Sequence, residues 1–368
     1  MNLPPDSTRI LEGSTSLVVP QTFSKGGPGK RVGRVFFNDQ MAFNRDVSVM
    51  FLRARRPRSA LDGMASTGAR AVRWGREVAG IDITANDRDP EAVEYIEANI
   101  ALNAVAAECR SSHDDIRCLL ARRVFDYIDI DPFGTPVPFI PMAVQGAKRR
   151  GVVAITATDT APLAGTYPHK CLRRYGARSA RSPYGHESGL RILIGHIMRE
   201  AAKEEKGGAC LLSFYADHYF RTYIQFIEGG GEADKTLANL GYLEHDRSTG
   251  RTTVGSQPSP RAVGPLWLGP LHDPEVLETM SADDSLARPA RCSKYLELWR
   301  QEVDVPYFYE NDEISSILGI SPPRLNAVLE RMAEVGHASR THFSPTGIKT
   351  DLPYDEVLSV YRDVARVG

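Results

Sequence analysis

Between residues 58 and 215 the chain alternates short apolar runs with longer amphipathic ones. "SALDG" (59–63), "GIDITAND" (80–87), "FDYIDID" (125–131), "GVVAITAT" (151–158) and "ACLLSFYA" (209–216) are short, several are flanked by glycine or an acid, and they read as strands. Between them, "ARAVRWGREVA" (69–79), "PEAVEYIEANIALN" (90–103), "VPFIPMAVQGAKRR" (137–150) and "GHESGLRILIGHIMREAAKEEK" (185–206) carry helical periodicity. Strands alternating with helices predict an α/β fold built on a parallel, doubly wound sheet. Ligands of such sheets sit at the carboxyl ends of the strands, and Asp62, Asp87 and Asp131 all fall at predicted strand ends.

The period changes after residue 216. "HYFRTYIQFIEGG" (218–230) reads as a half-buried strand, and a Gly/Pro-rich stretch covers 257–270. Two domains are therefore expected, residues 1–216 and 217–368, the second of α+β type. Within 303–368, "NDEISSILGISPPRLNAVLERMAEVGH" (311–337) has the helix, turn and helix of a winged-helix-like unit, with "ASRTHFSPTGIKT" (338–350) as its wing. The plainer alternative is a helical hairpin packed on the first domain.

Composition narrows the class. No run of about 18 apolar residues is present, so no membrane span is expected. The start "MNLPPDSTRI" lacks the basic and apolar regions of a signal peptide, which predicts a cytoplasmic protein. Five scattered cysteines read as reduced thiols and give no zinc site. The net charge of −1 hides an asymmetry. Residues 145–181 hold Lys148, Arg149, Arg150, Lys170, Arg173, Arg174, Arg178 and Arg181 against the single acid Asp159. Such a patch is either a solvated surface or a phosphate-binding face.

"LDGMASTGARAVRWG" (61–75) follows a strand and opens a helix, with Gly63 and Gly68 in the turn. It is neither the G-x-G-x-x-G of dinucleotide folds nor a P-loop. An acid–glycine turn of this kind suits S-adenosylmethionine, the glycines letting the backbone approach the ligand. Asp62 begins this turn. Asp87 is placed to accept the ribose hydroxyls, and Asp114, after a third strand, to meet the adenine amine. Each acid alone is equally a helix cap. As an ordered set they point to a class I, Rossmann-like methyltransferase; a bare nucleotide-binding domain is the alternative.

"DYIDIDPFGTPVPF" (126–139) then takes on a chemical meaning. An acid, a proline and an aromatic ending the fourth strand is the arrangement of amino-methyltransferases. The exocyclic amine of a base is a poor nucleophile because its lone pair is delocalised into the ring. Asp131 would accept its N–H and take its proton, the Pro132 carbonyl would accept the second N–H, and Phe133 would offer a stacking face. Pro132, Pro136 and Pro138 stiffen the loop.

"DIDPFGTPVPFI" (129–140), "VFFNDQMAFNRDVS" (35–48), "TATDTAPLAGTYPHKCLRRY" (156–175), "GPLWLGPL" (264–271) and "RTHFSPTGIKTDLPY" (340–354) together resemble the tRNA (guanine-N2-)-dimethyltransferases that act at position 26 of tRNA. The resemblance runs from about residue 10 to 355 and is nearest the archaeal members. It implies S-adenosylmethionine as cofactor and tRNA as substrate; no protein partner is implied. By motif it assigns cofactor binding to Arg45, Arg70, Asp87, Asp114 and Asp115, catalysis to Asp131, and a guanine sandwich to Phe36 and Phe133. A guanidinium at Arg45 or Arg70 would pair with the cofactor's carboxylate. The eight basic residues of 145–181 and the C-terminal domain would hold tRNA phosphates. The chain departs from the family pattern at "NDQM" (38–41), and it lacks the cysteine cluster some members carry. The rival readings are an adenine-N6 methyltransferase and a non-catalytic tRNA-binding protein.

Overall fold

The computed structural model describes residues 4–24 and 35–367. An N-terminal hairpin, β1 (Ser7–Glu12) and β2 (Thr15–Pro20), precedes helix α1 (Ala42–Arg55). Strands and helices then alternate: β3 (Ser59–Asp62), α2 (Ala69–Glu77), β4 (Asp82–Asp87), α3 (Pro90–Asn103), β5 (Cys109–His113), α4 (Ile116–Leu120), β6 (Phe125–Ile130), α5 (Ile140–Gly146) and β7 (Ala147–Ala157). Short helices α6 (Thr160–Leu163) and α7 (Pro168–Tyr175) and the long α8 (Gly185–Ala202) lead to β8 (Lys206–Ala216), and β9 (Tyr219–Glu228) returns along it.

These strands form one seven-stranded sheet in the order β5-β4-β3-β6-β7-β9-β8. All are parallel except β9, which is antiparallel to both neighbours. The order reverses between β3 and β6. The connections leaving those two strands diverge to opposite sides and open a crevice at their carboxyl ends. Helices on both faces make the central strands largely apolar: Leu61, Ile83, Ile128, Val153 and Ile155 are fully buried. Local signals place the helices. Asp89 caps α3, accepting from Glu91 N at 3.1 Å, with Pro90 in the first turn where its missing N–H costs nothing.

Two elements differ from the sequence reading. The helix expected over 137–150 ends at Gly146, and Lys148 to Arg150 open β7 instead. Exposed basic residues at a strand's start mimic the polar face of a helix. The domain boundary expected after 216 falls in the turn between β8 and β9, two strands of one sheet. The change of period there marks the reversal of chain direction.

The rest of the chain comprises α9 (Gly230–Leu237), the sheet strands β10 (Leu240–His245), β11 (Thr252–Gly255) and β12 (Val263–Trp267), and helices α10 (Pro274–Thr279) and α11 (Pro289–Gln301). Its apolar residues do not form a separate core. Leu243, Leu266 and Trp267 pack with β6, β7 and α8, while Leu296 and Trp299 pack with α1 and β8. Only the last unit has a core of its own, around Tyr309, Ile314, Val328 and Tyr361. It consists of β13 (Tyr309–Glu310), α12 (Asn311–Leu318), α13 (Leu325–Ala333), β14 (Ala338–Arg340), β15 (Gly347–Thr350) and α14 (Tyr354–Val367), with strand order β13-β15-β14.

The tip of the β14–β15 hairpin, read from sequence as a wing, turns inward. Phe343 packs against the core formed by β6, β7 and α8, and His342 Nε2 accepts from Tyr215 N at 3.4 Å. Behind it, Lys349 Nζ lies 2.8 Å from Glu187 and 3.1 Å from Glu302, whose other oxygen is 2.5 Å from His342 Nδ1. This buried ion cluster pins the unit to α8 and fixes its orientation. Among the described residues no helix is long and apolar enough to cross a membrane.

Candidate active site

The crevice at the sheet's switch point is a cavity of about 590 Å³, within the range of small-molecule sites. Its walls come from the connections after β3, β4, β5 and β6 and from residues 36–45.

The turn after β3 is set by backbone contacts. Gly63 N donates to Asp129 O at 3.0 Å, and a Cβ at this position would strike Ile116 Cδ1 at 2.1 Å. Gly68 takes a left-handed φ of 73° at the start of α2, against Ile96, and does not line the cavity. Gly68 therefore serves close packing of protein on protein, which differs from the sequence reading, whereas Gly63 lines the cavity as well as packing against Ile116. Asn86 Nδ2 ties this turn to the next, donating to Gly63 O and Asp114 O at 3.1 Å each.

The acids differ in state. Asp87 accepts from Ser66 N at 2.8 Å and from Asp89 N at 3.0 Å, which fixes its carboxylate at the cavity wall. Asp114 pairs with Arg122, and Asp115 caps α4 while accepting two bonds from Arg117. Those Arg117 bonds, with the helix N–H, pull the Asp115 carboxyl down to about 2. Asp62 is buried, and its Oδ2 meets no hydrogen-bond partner. Burial pushes its pKa up to about 7; Arg70 opposes the rise, and Asp129, Asp131 and Asp87 add to it.

The arginines divide as well. Arg45 lies at the wall, but its guanidinium is bidentate to Glu12 of β1, at 2.7 and 2.5 Å. Its charge is therefore already met, and its third bond, 3.0 Å to Asn38 O, holds the residues that carry Phe36. Arg70 faces the cavity. Its Nη2 is 2.5 Å from Asp131 Oδ2, its Nη1 donates to Asn44 Oδ1 at 2.8 Å, and its Nε is 3.7 Å from Asp129.

Asp131 is brought out of β6 beside Phe133 and Phe36. The loop that follows is braced from β7 and α7. Gly134 N donates to Thr158 Oγ1 at 2.7 Å and Thr158 N returns a bond to Gly134 O at 3.0 Å. Thr135 Oγ1 lies 2.9 Å from Tyr175 OH, which donates to Asp159 at 2.7 Å. Phe36 is tied to the β3 turn through Ser66 Oγ, 3.0 Å from Phe36 N and 2.7 Å from Phe36 O. "NDQM" forms one tight helical turn, capped by Asn38 Oδ1 on Gln40 N at 3.0 Å.

Sequence reasoning missed Asp129, Arg221, Asn44 and Glu12. Fully buried Asp129 binds Arg221 of β9 at 2.5 and 3.0 Å and accepts from Tyr127 OH at 2.8 Å. Burial would raise its carboxyl, but Arg221 and Arg70 hold it below the usual range. A signal existed: one acid and one arginine inside apolar strands, in "DYIDI" and "YFRTYI", each of which would be costly to bury alone.

The basic stretch 145–181 is split. Lys148, paired with Asp126, and Arg149 and Arg150 lie at the opposite edge of the sheet, about 23–30 Å down β7 from its carboxyl end at 3.3 Å per residue. Lys170, Arg173 and Arg174 are on α7, and Arg178 and Arg181 follow it, beside the braced loop after β6. Arg174 is committed to Asp159 at 2.8 Å.

A doubly wound sheet with one antiparallel strand, an acid series on its carboxyl edge and an Asp-Pro-aromatic loop defines a class I methyltransferase. The residues fit a zwitterionic sulfonium nucleoside: an unpartnered buried carboxylate at Asp62 for an ammonium, and a cavity-facing guanidinium at Arg70 for a carboxylate. The family model for N2,N2-dimethylguanosine tRNA methyltransferases matches residues 15–362. The chain is 39% identical to a tRNA (guanine(26)-N(2))-dimethyltransferase of Pyrococcus abyssi, with 95% of this chain and 97% of that protein covered. A protein of the same name from Methanosphaerula palustris is 37% identical, with 96% and 98% covered. The solved structure of Trm1 from Pyrococcus horikoshii with S-adenosyl-L-methionine matches at a TM-score of 0.88 and 36% identity, covering 96% of this chain and 99% of that one. The chain belongs to the N2,N2-dimethylguanosine tRNA methyltransferase family.

Proposed function

We propose that this protein transfers methyl groups from S-adenosylmethionine to the exocyclic N2 of guanine 26 in tRNA, one and then a second, giving N2,N2-dimethylguanosine. The observation that carries the reading is Asp131, a carboxylate that lines the nucleoside-sized cavity together with Phe36 and Phe133.

The donor's methionine end lies toward Arg70 and Asp62, its ribose on Asp87 and its adenine by Asp114 and Asp115, with the turn at Gly63 and Gly68 shaping the floor. Asp114 then exchanges Arg122 for the adenine amine. Arg45 acts through Asn38, as a support of the Phe36 segment. The guanine is extruded from the tRNA core and stacks against Phe36 and Phe133. Asp131 and the Pro132 carbonyl accept its two N–H bonds, and Asp131 takes one proton. The nitrogen lone pair attacks the methyl carbon, the C–S bond breaks, and its electron pair stays on sulfur. Positioning carries much of the acceleration, because the donor is already activated. The second transfer follows exchange of the spent donor.

The cations on and after α7, half-buried Lys170 and exposed Arg173, Arg178 and Arg181, hold tRNA phosphates beside the mouth, as does the last unit from 303 onward. Lys148, Arg149 and Arg150 serve only if the tRNA reaches the far sheet edge. With tRNA as substrate the protein acts in the cytoplasm. Asp131→Ala should abolish methyl transfer while still binding donor and tRNA; normal turnover by that variant would refute the mechanism.

A further inference from the structure

Arg70 meets two demands that it cannot satisfy at once. On the reading above its guanidinium faces the donor's carboxylate, yet its Nη2 is bonded to Asp131 Oδ2 at 2.5 Å. We infer that Arg70 is a counter-ion shared between the donor's carboxylate and Asp131, so that donor binding is what readies Asp131 for the guanine amine.

Two other buried arginines near this end of the cavity are already committed. Arg45 is bidentate to Glu12, and Arg221 is bidentate to Asp129. Asp129 is thereby neutralised from the far side and holds Arg70 only loosely, at 3.7 Å. The first turn of α2 carries the residue, Asn44 Oδ1 holds Nη1 of the guanidinium, and Nη2 of the same group reaches Asp131 at the cavity wall. A carboxylate entering there competes with Asp131 for one N–H fork. Before that exchange the guanidinium occupies one Asp131 oxygen and leaves the other for the amine. After it, Asp131 faces the amine with both oxygens. Asp131 is thus fully available to the amine only when a methyl donor is in place. Asp62 completes the exchange: the ammonium that arrives with the carboxylate meets its unpartnered Oδ2.

This inference rests on the proposed function and predicts a specific ligand dependence. The probes are S-adenosylhomocysteine and 5′-S-(3-aminopropyl)-5′-thioadenosine, which share the adenosine, thioether and ammonium and differ only in the carboxylate. Equilibrium titration of both is made against the wild-type protein and Asp131→Asn, whose isosteric side chain keeps the fold. Removing the competitor should tighten S-adenosylhomocysteine by about threefold or more, the scale of a partly exposed ion pair. The decarboxylated analogue should change by less than about twofold. In the wild type, S-adenosylhomocysteine should tighten tRNA binding and the analogue should not. Equal effects of Asp131→Asn on both probes, or none on either, would overturn the inference and leave the methyltransferase reading standing. Failure of both probes to bind would overturn the inference and the donor site together.

Discussion

Phe36 and Phe133 meet edge to face, their ring centroids 4.7 Å apart and their planes at 76°. A base sandwiched between two rings needs centroids about 7 Å apart, two contacts of about 3.5 Å. The rings must therefore part for guanine to enter. Phe133 is 57% exposed, whereas Phe36 is half-buried and its backbone is held by Ser66. Phe133→Ala should then raise the KM for tRNA and lower kcat/KM by about 5- to 150-fold, the equivalent of 1–3 kcal/mol per stacked base. Donor affinity should not move. Titration of S-adenosylhomocysteine beside steady-state kinetics checks both, and a variant with wild-type kcat/KM would exclude the clamp.

Asp62 makes stability depend on pH. Its folded pKa, raised to about 7, lies above the ordinary 3.8, so its contribution is full below about pH 4 and is lost as pH rises to about 7. Asp62→Asn should flatten the fall in stability between pH 4 and 7 by up to about 1.4 kcal/mol per pH unit. Melting curves across that range test it. A donor ammonium beside Asp62 favours its ionised form, so donor binding at pH 6 should release a proton, measurable by calorimetry in two buffers.

The two halves of the basic stretch should behave differently. Reversing Arg173 and Arg178 to Glu should weaken tRNA binding and flatten its salt dependence, whereas the same change at Arg149 and Arg150, on the far sheet edge, should have a much smaller effect. Filter binding at several salt concentrations distinguishes them. Equal losses would mean that tRNA wraps the whole sheet.

Lys349→Met should be costly. Lys349 is the cation between Glu187 and Glu302, all three side chains nearly inaccessible. Burial would raise the Glu302 carboxyl, but His342 and Lys349 hold it well below the usual range. Removing the ammonium leaves buried charge uncompensated, a loss of about 3–5 kcal/mol. Thermal unfolding measures it; a loss below about 1 kcal/mol would show that the cluster does not pin the C-terminal unit.

What the sequence disclosed follows from how locally each feature is encoded. The five strands and the helix over 90–103 were legible because burial on both faces and the Asp89-Pro90 cap are written in consecutive residues. Asp131, Asp87 and the β3 turn were legible from spacing and motif. Asp129 with Arg221, and Arg45 with Glu12, were not, because each pair joins strands and helices far apart in the chain, 92 and 33 residues respectively. The pairing of Arg70 with Asp131 was hidden for the same reason, at 61 residues. The inward hairpin was misread because its polar residues His342 and Lys349 meet their partners, Glu302 and Glu187 of α8, only in the folded chain, and so resemble a solvated loop.

The most direct test is nucleoside mass spectrometry of unmodified tRNA incubated with the protein and isotopically labelled S-adenosylmethionine. The account predicts N2-methylguanosine appearing first and N2,N2-dimethylguanosine accumulating from it, both lost when guanine 26 is replaced or Asp131 is changed to Ala. Label in N6-methyladenosine, label surviving the loss of guanine 26, or no label in any nucleoside would contradict it.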